Sequence, residues 1–230
     1  MPVQLPDAYL PYRLSILNNH PDYLAAKRGD EVAALKLAQE LMTHEVFEGI
    51  VAYAQSLGLA EMTVLPVMAL EATGYNKIPL AVAKVMERHL SWPLCVQIFQ
   101  AQRVHRTQMD GLSRLFHRPA FSGTCDAQTS PLLLLDDTLT QGGTFAALEA
   151  YASAQGLVVG GAMALTGKLY SAPLRLEDEL FDLLEEKYDD EFKEAFAAWC
   201  GYDFRALTQS EARALANADV ERVRACLFER

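Results

Sequence analysis

Residues 132–145 read LLLLDDTLTQGGTF. Four leucines run into two adjacent aspartates, and a threonine- and glycine-rich stretch follows. A short apolar run bounded by turn residues predicts a buried strand. Such a strand does not end on two carboxylates unless something engages them. In an open parallel sheet, ligands bind beyond the carboxyl ends of the strands, so Asp136 and Asp137 are candidate binding residues. Their oxygens suit a cis-diol such as ribose, or a metal ion. Thr140, Gln141, Gly142, Gly143 and Thr144 then lead into a helical pattern. Glycine-rich backbone at a helix N-terminus presents amides to an anion, and the helix dipole assists. A ribose 5-phosphate satisfies both halves. Two other readings stand beside this one. A nucleoside-triphosphatase acidic strand needs a GxxxxGK[ST] loop; Gly161 to Gly167-Lys168 has the wrong spacing. A plain structural strand with a polar end needs no ligand.

Outward from this stretch, strands and helices alternate. MTVLPVMAL (62–70) predicts a first strand, NKIPLAVAKVMERHL (76–90) a helix, and LCVQIFQ (94–100) a second strand. Residues 101–130 predict an extended loop, PLLLLDD (131–137) a third strand, GTFAALEAYASAQG (143–156) a helix, and LVVGGAMALT (157–166) a fourth strand. Near-continuous apolar strands alternating with helices imply a parallel sheet covered on both faces. The glycines of the fourth strand mark a close neighbour. Apolar spacing from Asp30 to Leu57 gives an amphipathic helix broken near Thr43, with Gly58 as its stop. Beyond residue 171 no strand is evident. Thr208-Gln-Ser-Glu211 reads as a capping box, ADVERVRACLFE as a last helix, and the acidic run Glu177 to Glu194 as a solvated face. The organisation is thus 1–60 helical, 61–170 α/β core, and 171–230 an acidic helical segment.

With 230 residues, 51% of them hydrophobic, the chain is long enough to bury a core without metal or disulfide help. The net charge of −10 counts against nucleic acid as a partner. No apolar run reaches membrane-span length, and MPVQLPDAYLPYRL lacks the basic start and apolar stretch of a signal peptide. Cys95, Cys125, Cys200 and Cys226 are widely spaced and read as reduced thiols of a cytoplasmic protein. Residues 171–230 hold 15 acidic and 8 basic residues, whereas 101–120 hold Arg103, His105, Arg106, Arg114, His117 and Arg118 against one acid, Asp110. That basic segment suggests an anion site; surface arginines that only solubilise a loop are the alternative. Trp92, Trp199 and Phe204 read as packing residues.

LLLLDDTLTQGGTF resembles the phosphoribosyl-diphosphate (PRPP) signature of type I phosphoribosyltransferases. VLPVMALEATGYNKIPLAVAKVM (64–86) is similar to the first strand, diphosphate loop and helix of the ComF-like branch, with Gly74-Tyr75-Asn76 as its Gly-aromatic-Asn step. The resemblance covers about residues 62–168 and implies a type I phosphoribosyltransferase-like parallel sheet flanked by helices, with helical additions at both ends. It also implies transfer of ribose 5-phosphate from PRPP to a nitrogenous base or related small-molecule acceptor, with Mg²⁺ as cofactor.

Carried over by position, Asp136 and Asp137 would bind the ribose hydroxyls and the metal. Thr140–Thr144 would hold the 5-phosphate. Glu71, Ala72, Thr73 and Gly74 would lie in the diphosphate loop, and the segment with Arg103, His105, Arg106 and Arg114 would form the catalytic loop. Lys168 would meet the acceptor or simply be solvated. Thr73 stands where the ComF-like branch has an arginine, which leaves the diphosphate contacts to Lys77 or the loop arginines. Thr140 stands where 6-oxopurine enzymes carry an acid, which argues against that substrate class. Either terminal segment would shape the acceptor site as a hood, and the tail could instead make a homodimer or scaffold contact. A sensor that binds PRPP or a nucleotide without catalysis is the competing function, and a hydrolase is a third.

Overall fold

The computed structural model describes residues 1–71, 74–101, 111–125 and 130–228. Along the chain, β1 (Tyr12–Arg13) precedes four helices: α1 (Ser15–Asn18), α2 (Tyr23–Lys27), α3 (Glu31–Leu41) and α4 (His44–Ser56). Strand β2 (Thr63–Pro66) follows, then the hairpin strands β3 (Leu70–Glu71) and β4 (Gly74–Tyr75), and helix α5 (Ile78–Leu90). Next come β5 (Phe99–Gln100), α6 (Gly111–Phe116), β6 (Phe121–Ser122), β7 (Leu132–Leu139), α7 (Gly143–Ala154) and β8 (Val159–Gly167). The remainder is helical: α8 (Asp178–Lys187), α9 (Asp190–Cys200), α10 (Gln209–Ala216) and α11 (Val220–Phe228).

The main sheet is parallel, in the order β1-β8-β7-β2. Strand β7 sits in its middle, pairing Leu132–Leu135 with Thr63–Pro66 on one side and running along β8 on the other. Side chains alternate across a strand. Leu133 and Leu135 therefore enter a core with α3, α4 and α5, while Leu132 and Leu134 enter a second core with α7. Each fully buried leucine stabilises the fold by about 1.5–3 kcal/mol, so this strand is firmly held up to its acidic end. The expectation of an α/β sheet covered on both faces is met.

Local signals match as well. The N-terminal helical pattern breaks between α3 and α4, with Asp30 accepting from Val32 N and Ala33 N to cap α3. Gly58 follows α4 with φ +74°. The fourth-strand glycines do admit a close neighbour: a Cβ on Gly161 would meet Tyr53 Oη at 2.9 Å. Thr208 and Glu211 form the expected capping box of α10. Trp92 and Phe204 are buried.

Four expectations are corrected. Residues 94–100 are not a strand of the main sheet. Only Leu94 bridges Val64, with Cys95 N donating to Val64 O at 2.9 Å, and Phe99–Gln100 then pairs antiparallel with Phe121–Ser122. Nor is the described part of 101–130 a plain loop. Leu112, Leu115 and Phe116 bury themselves among Leu184, Tyr188, Phe192, Phe196 and Phe204 of the tail, which makes α6 a helix of the third apolar core. Cys95 and Cys125 are joined in a disulfide, with Cα atoms 5.9 Å apart, while Cys200 and Cys226 are free. Thirty residues separate the pair in sequence, and only the β5–β6 pairing brings them together, so the cysteines no longer argue for a reducing compartment. Trp199, unlike Trp92 and Phe204, is half exposed rather than buried. Among the described residues, no helix is long and apolar enough to cross a membrane.

Candidate functional site

Strands β2, β7 and β8 run parallel, so their carboxyl ends open on one side. There a cavity of about 270 Å³ is lined by Val67, Ala69, Asn76, Gln100 and Arg114, by the continuous stretch Asp136–Phe145, and by Tyr23 and Lys27. The stretch that looked out of place in the sequence is thus the floor of a pocket at a strand end, where α/β sheets bind ligands.

Strand alternation separates the two carboxylates. Asp137 follows Leu135 and Leu133 toward the layer built by the N-terminal helices and is 3% exposed. There Lys27 Nζ stands 3.0 Å from its Oδ2. Asp136 belongs to the opposite alternation, and its Oδ1 accepts from Asp137 N at 2.8 Å. Burial, and then the neighbouring Asp137 charge, push the Asp136 carboxyl well above the ordinary carboxylate range; Lys27 pulls it partly back. An added cation, or hydroxyl donors from a diol, would relieve the same penalty. The donor set suits a divalent ion held by a carboxylate together with ligand oxygens, the way Mg²⁺ is usually bound. A cage made by the protein alone does not fit, because Asp137 Oδ2 already faces Lys27.

The candidate anion cradle is backbone at the start of α7, where the first helical amides lack partners within the helix. Gly142 caps this helix with φ +86°, and a Cβ there would meet Leu174 Cδ2 at 2.6 Å. Both features favour glycine at this position. The loop is pinned from behind: Ser171 Oγ donates to Thr140 O at 2.6 Å, and Thr208 Oγ1 donates to Gln141 O. Thr208 also caps α10, and the Glu211 side chain returns to Thr208 N at 3.0 Å. Glu211 meanwhile binds Arg118, whose Nη2 also donates to Ala206 O at 2.8 Å and whose guanidinium lies 4.0 Å from the centre of the Tyr202 ring. A chain of polar contacts thus ties segment 111–122, the tail and the cradle together.

Of the residues expected at the site, Asp136, Asp137, Thr140, Gln141, Gly142, Gly143 and Thr144 all line one cavity. Arg114 joins them from α6, its Nη1 donating to Thr140 Oγ1 at 3.2 Å. It reaches the Thr140 hydroxyl from a helix packed on the tail rather than from an extended loop. Glu71 and Gly74 fall in the β3–β4 hairpin, and Asn76 lines the cavity just after it. Lys168 is exposed, with Nζ 5.5 Å from the Tyr170 ring centre, and is not among the lining residues. Arg103, His105, Arg106, Ala72 and Thr73 lie outside the described residues. Sequence reading missed Lys27, Tyr23 and Gln100. No local pattern marks them; Tyr23 and Lys27 arrive on helix α2, and Gln100 on strand β5, where its amide donates to Met68 O at 3.1 Å.

No family model matches the chain. It is 35% identical over 204 residues to a protein named TraN from Escherichia coli, a match covering 86% of this chain and 44% of that protein. It is 38% identical over 146 residues to an uncharacterized protein from Haemophilus influenzae, covering 64% of this chain and 32% of that one. The chain therefore spans less than half the length of these curated relatives. Neither name states a ligand or a reaction.

Proposed function

We propose that this chain carries a type I phosphoribosyltransferase-like core that transfers ribose 5-phosphate from PRPP to a nitrogenous base or related acceptor, releasing diphosphate. The observation that carries the reading is the coincidence, in one cavity at a parallel strand end, of Asp136, Asp137 and the Thr140–Thr144 backbone. A carboxylate pair selects a diol, and a helix N-terminus selects a phosphate; PRPP carries both, at the spacing of a sugar ring.

In this reading Asp136 and Asp137 accept hydrogen bonds from the ribose 2- and 3-hydroxyls. The amides of the cradle and Arg114 hold the 5-phosphate. Fixing both ends of the sugar orients its anomeric carbon and lowers the entropic part of the barrier. Mg²⁺, when bound beside Asp136, supplies positive charge to the diphosphate as it leaves. The walls contributed by Tyr23, Gln100 and Pro119 limit water, which would otherwise compete with the acceptor.

A non-catalytic sensor of PRPP or a nucleotide is the second reading, and one observation favours it. Asp137 is already ion-paired to Lys27, so a ligand that engages Asp137 also alters a contact between α2 and the sheet, which a sensor can use. Diphosphate release measured with PRPP, Mg²⁺ and a panel of bases separates the two. Release dependent on one acceptor supports the transferase. Tight PRPP binding with no release for any acceptor supports the sensor, and absence of binding overturns both.

A further inference from the structure

A second cavity, of about 320 Å³, lies between α7, residues 1–3 and the tail. It shares only Pro119 with the cavity at the strand ends. Its volume falls at the lower end of the range for small-molecule sites. Much of its wall is small and uncharged, with Val3, Ala120, Ala146, Ala147 and Ala150. Two charged side chains interrupt that wall, Glu149 from α7 and Arg118 from the segment after α6.

The two charges are provided for differently. Arg118 is balanced: its guanidinium donates to both oxygens of Glu211 and to Ala206 O. Glu149 is only 6% exposed. Among the described residues its one hydrogen bond comes from Gln4 N, 3.0 Å from Oε1. Oε2 has no such partner there, and no described cation pairs with the carboxylate. Burial pushes the Glu149 carboxyl above its ordinary range, and the Gln4 amide pulls it only partly back. A buried carboxylate without a counter-ion is costly, and a cation brought to Oε2 relieves that cost. Cys200 lines the same cavity, but burial pushes its thiol up to about 12. It therefore stays protonated and adds a weakly polar surface, not a nucleophile.

We infer that this second cavity binds a small organic cation, an alkylammonium whose nitrogen pairs with Glu149 Oε2 and whose carbon chain lies against Ala146, Ala147 and Ala150. An anion drawn to Arg118 fits less well, because Glu211 already neutralises that guanidinium and Glu149 repels a second negative charge. The inference is independent of the ribose-phosphate reading, since it uses a different cavity and a carboxylate that the reading leaves without a role.

Amide NMR titration of n-butylammonium, its uncharged analogue n-butanol, and butyrate into wild type, Glu149→Gln and Ala150→Leu tests this. In wild type, n-butylammonium produces saturable shifts centred on residues 146–150 and 200–202. It binds at least about tenfold more tightly than n-butanol, as a hydrogen bond to a charged group requires. Butyrate leaves these amides unmoved. Glu149→Gln, which keeps an acceptor for Gln4 N, loses the preference for the ammonium. Ala150→Leu narrows the cavity and weakens n-butylammonium and n-butanol alike. Should Glu149→Gln fail to fold, Ala150→Leu carries the test, and unchanged n-butylammonium binding in it overturns the inference. Shifts in wild type that do not saturate, or that scatter over the acidic surface, overturn it too. So does a Glu149→Gln variant that retains the ammonium preference. Butyrate binding more tightly than n-butylammonium at these amides would make Arg118 the recognising charge and would contradict the assignment.

Discussion

The two ends of the chain serve the cavity in different ways. The N-terminal helices send side chains into it: Tyr23 and Lys27 from α2 line the wall, and Lys27 meets Asp137. The tail from α8 to α11 contributes none of the lining residues, yet Thr208 holds the carbonyl of Gln141 and Glu211 holds Arg118 beside it. One end adds side chains to the cavity wall and the other fixes the backbone of its floor. Substitutions at the two ends should therefore move different quantities, ligand preference at the first and stability at the second.

The largest effect is expected where segment 111–122 meets the tail. Arg118→Ala leaves Glu211, 1% exposed, without its cation, which costs about 3–5 kcal/mol. Urea unfolding should show this loss, and replacing Glu211 with glutamine in the same chain should recover part of it. In the cavity, Asp137→Asn removes the charged acceptor that Lys27 of the N-terminal helices faces, an effect of about 1.5–3 kcal/mol. That corresponds to roughly ten- to a hundredfold weaker PRPP binding in a calorimetric titration. Thr208→Val removes both the cap of α10 and the bond to the cradle, lowering stability by about 1–2 kcal/mol with only a few-fold change in PRPP affinity. If Thr208→Val instead abolished binding without loss of stability, the division between the two ends would be wrong.

Asp136→Asn should give the smallest change, and of opposite sign. The folded state holds this carboxyl above its ordinary range through burial and the Asp137 charge. Its contribution to stability is therefore full below the unfolded carboxylate pKa and is lost as pH rises through the higher folded value. In divalent-free buffer the asparagine variant should melt above wild type at neutral pH, and the difference should shrink toward acid. An equal melting difference at pH 3 and pH 7 would contradict this account of the charge.

The sequence made the central strand and its cavity-facing end legible because each is written locally. Leu132–Leu135 state burial, Asp136 and Asp137 state a polar end, and Gly142 states a backbone that side chains rarely adopt. The capping box at Thr208 is legible for the same reason. What was hidden depends on distant partners. Lys27 looks like any surface lysine until α2 packs beside β7. Cys95 and Cys125 meet only through the β5–β6 pairing. Helix α6 carried a readable spacing in Leu112, Leu115 and Phe116, but the arginines around it drew attention to charge. Residues 94–100 are apolar enough for a strand, and nothing local says that the chain leaves the sheet after Cys95.

The central claim is that the Asp136–Thr144 cavity is a PRPP site. Titrating PRPP with Mg²⁺ into wild type and Asp137→Asn tests it most directly. The account predicts saturable one-site binding by wild type that is largely lost in the variant. No binding by wild type, or the same affinity in both proteins, would contradict it.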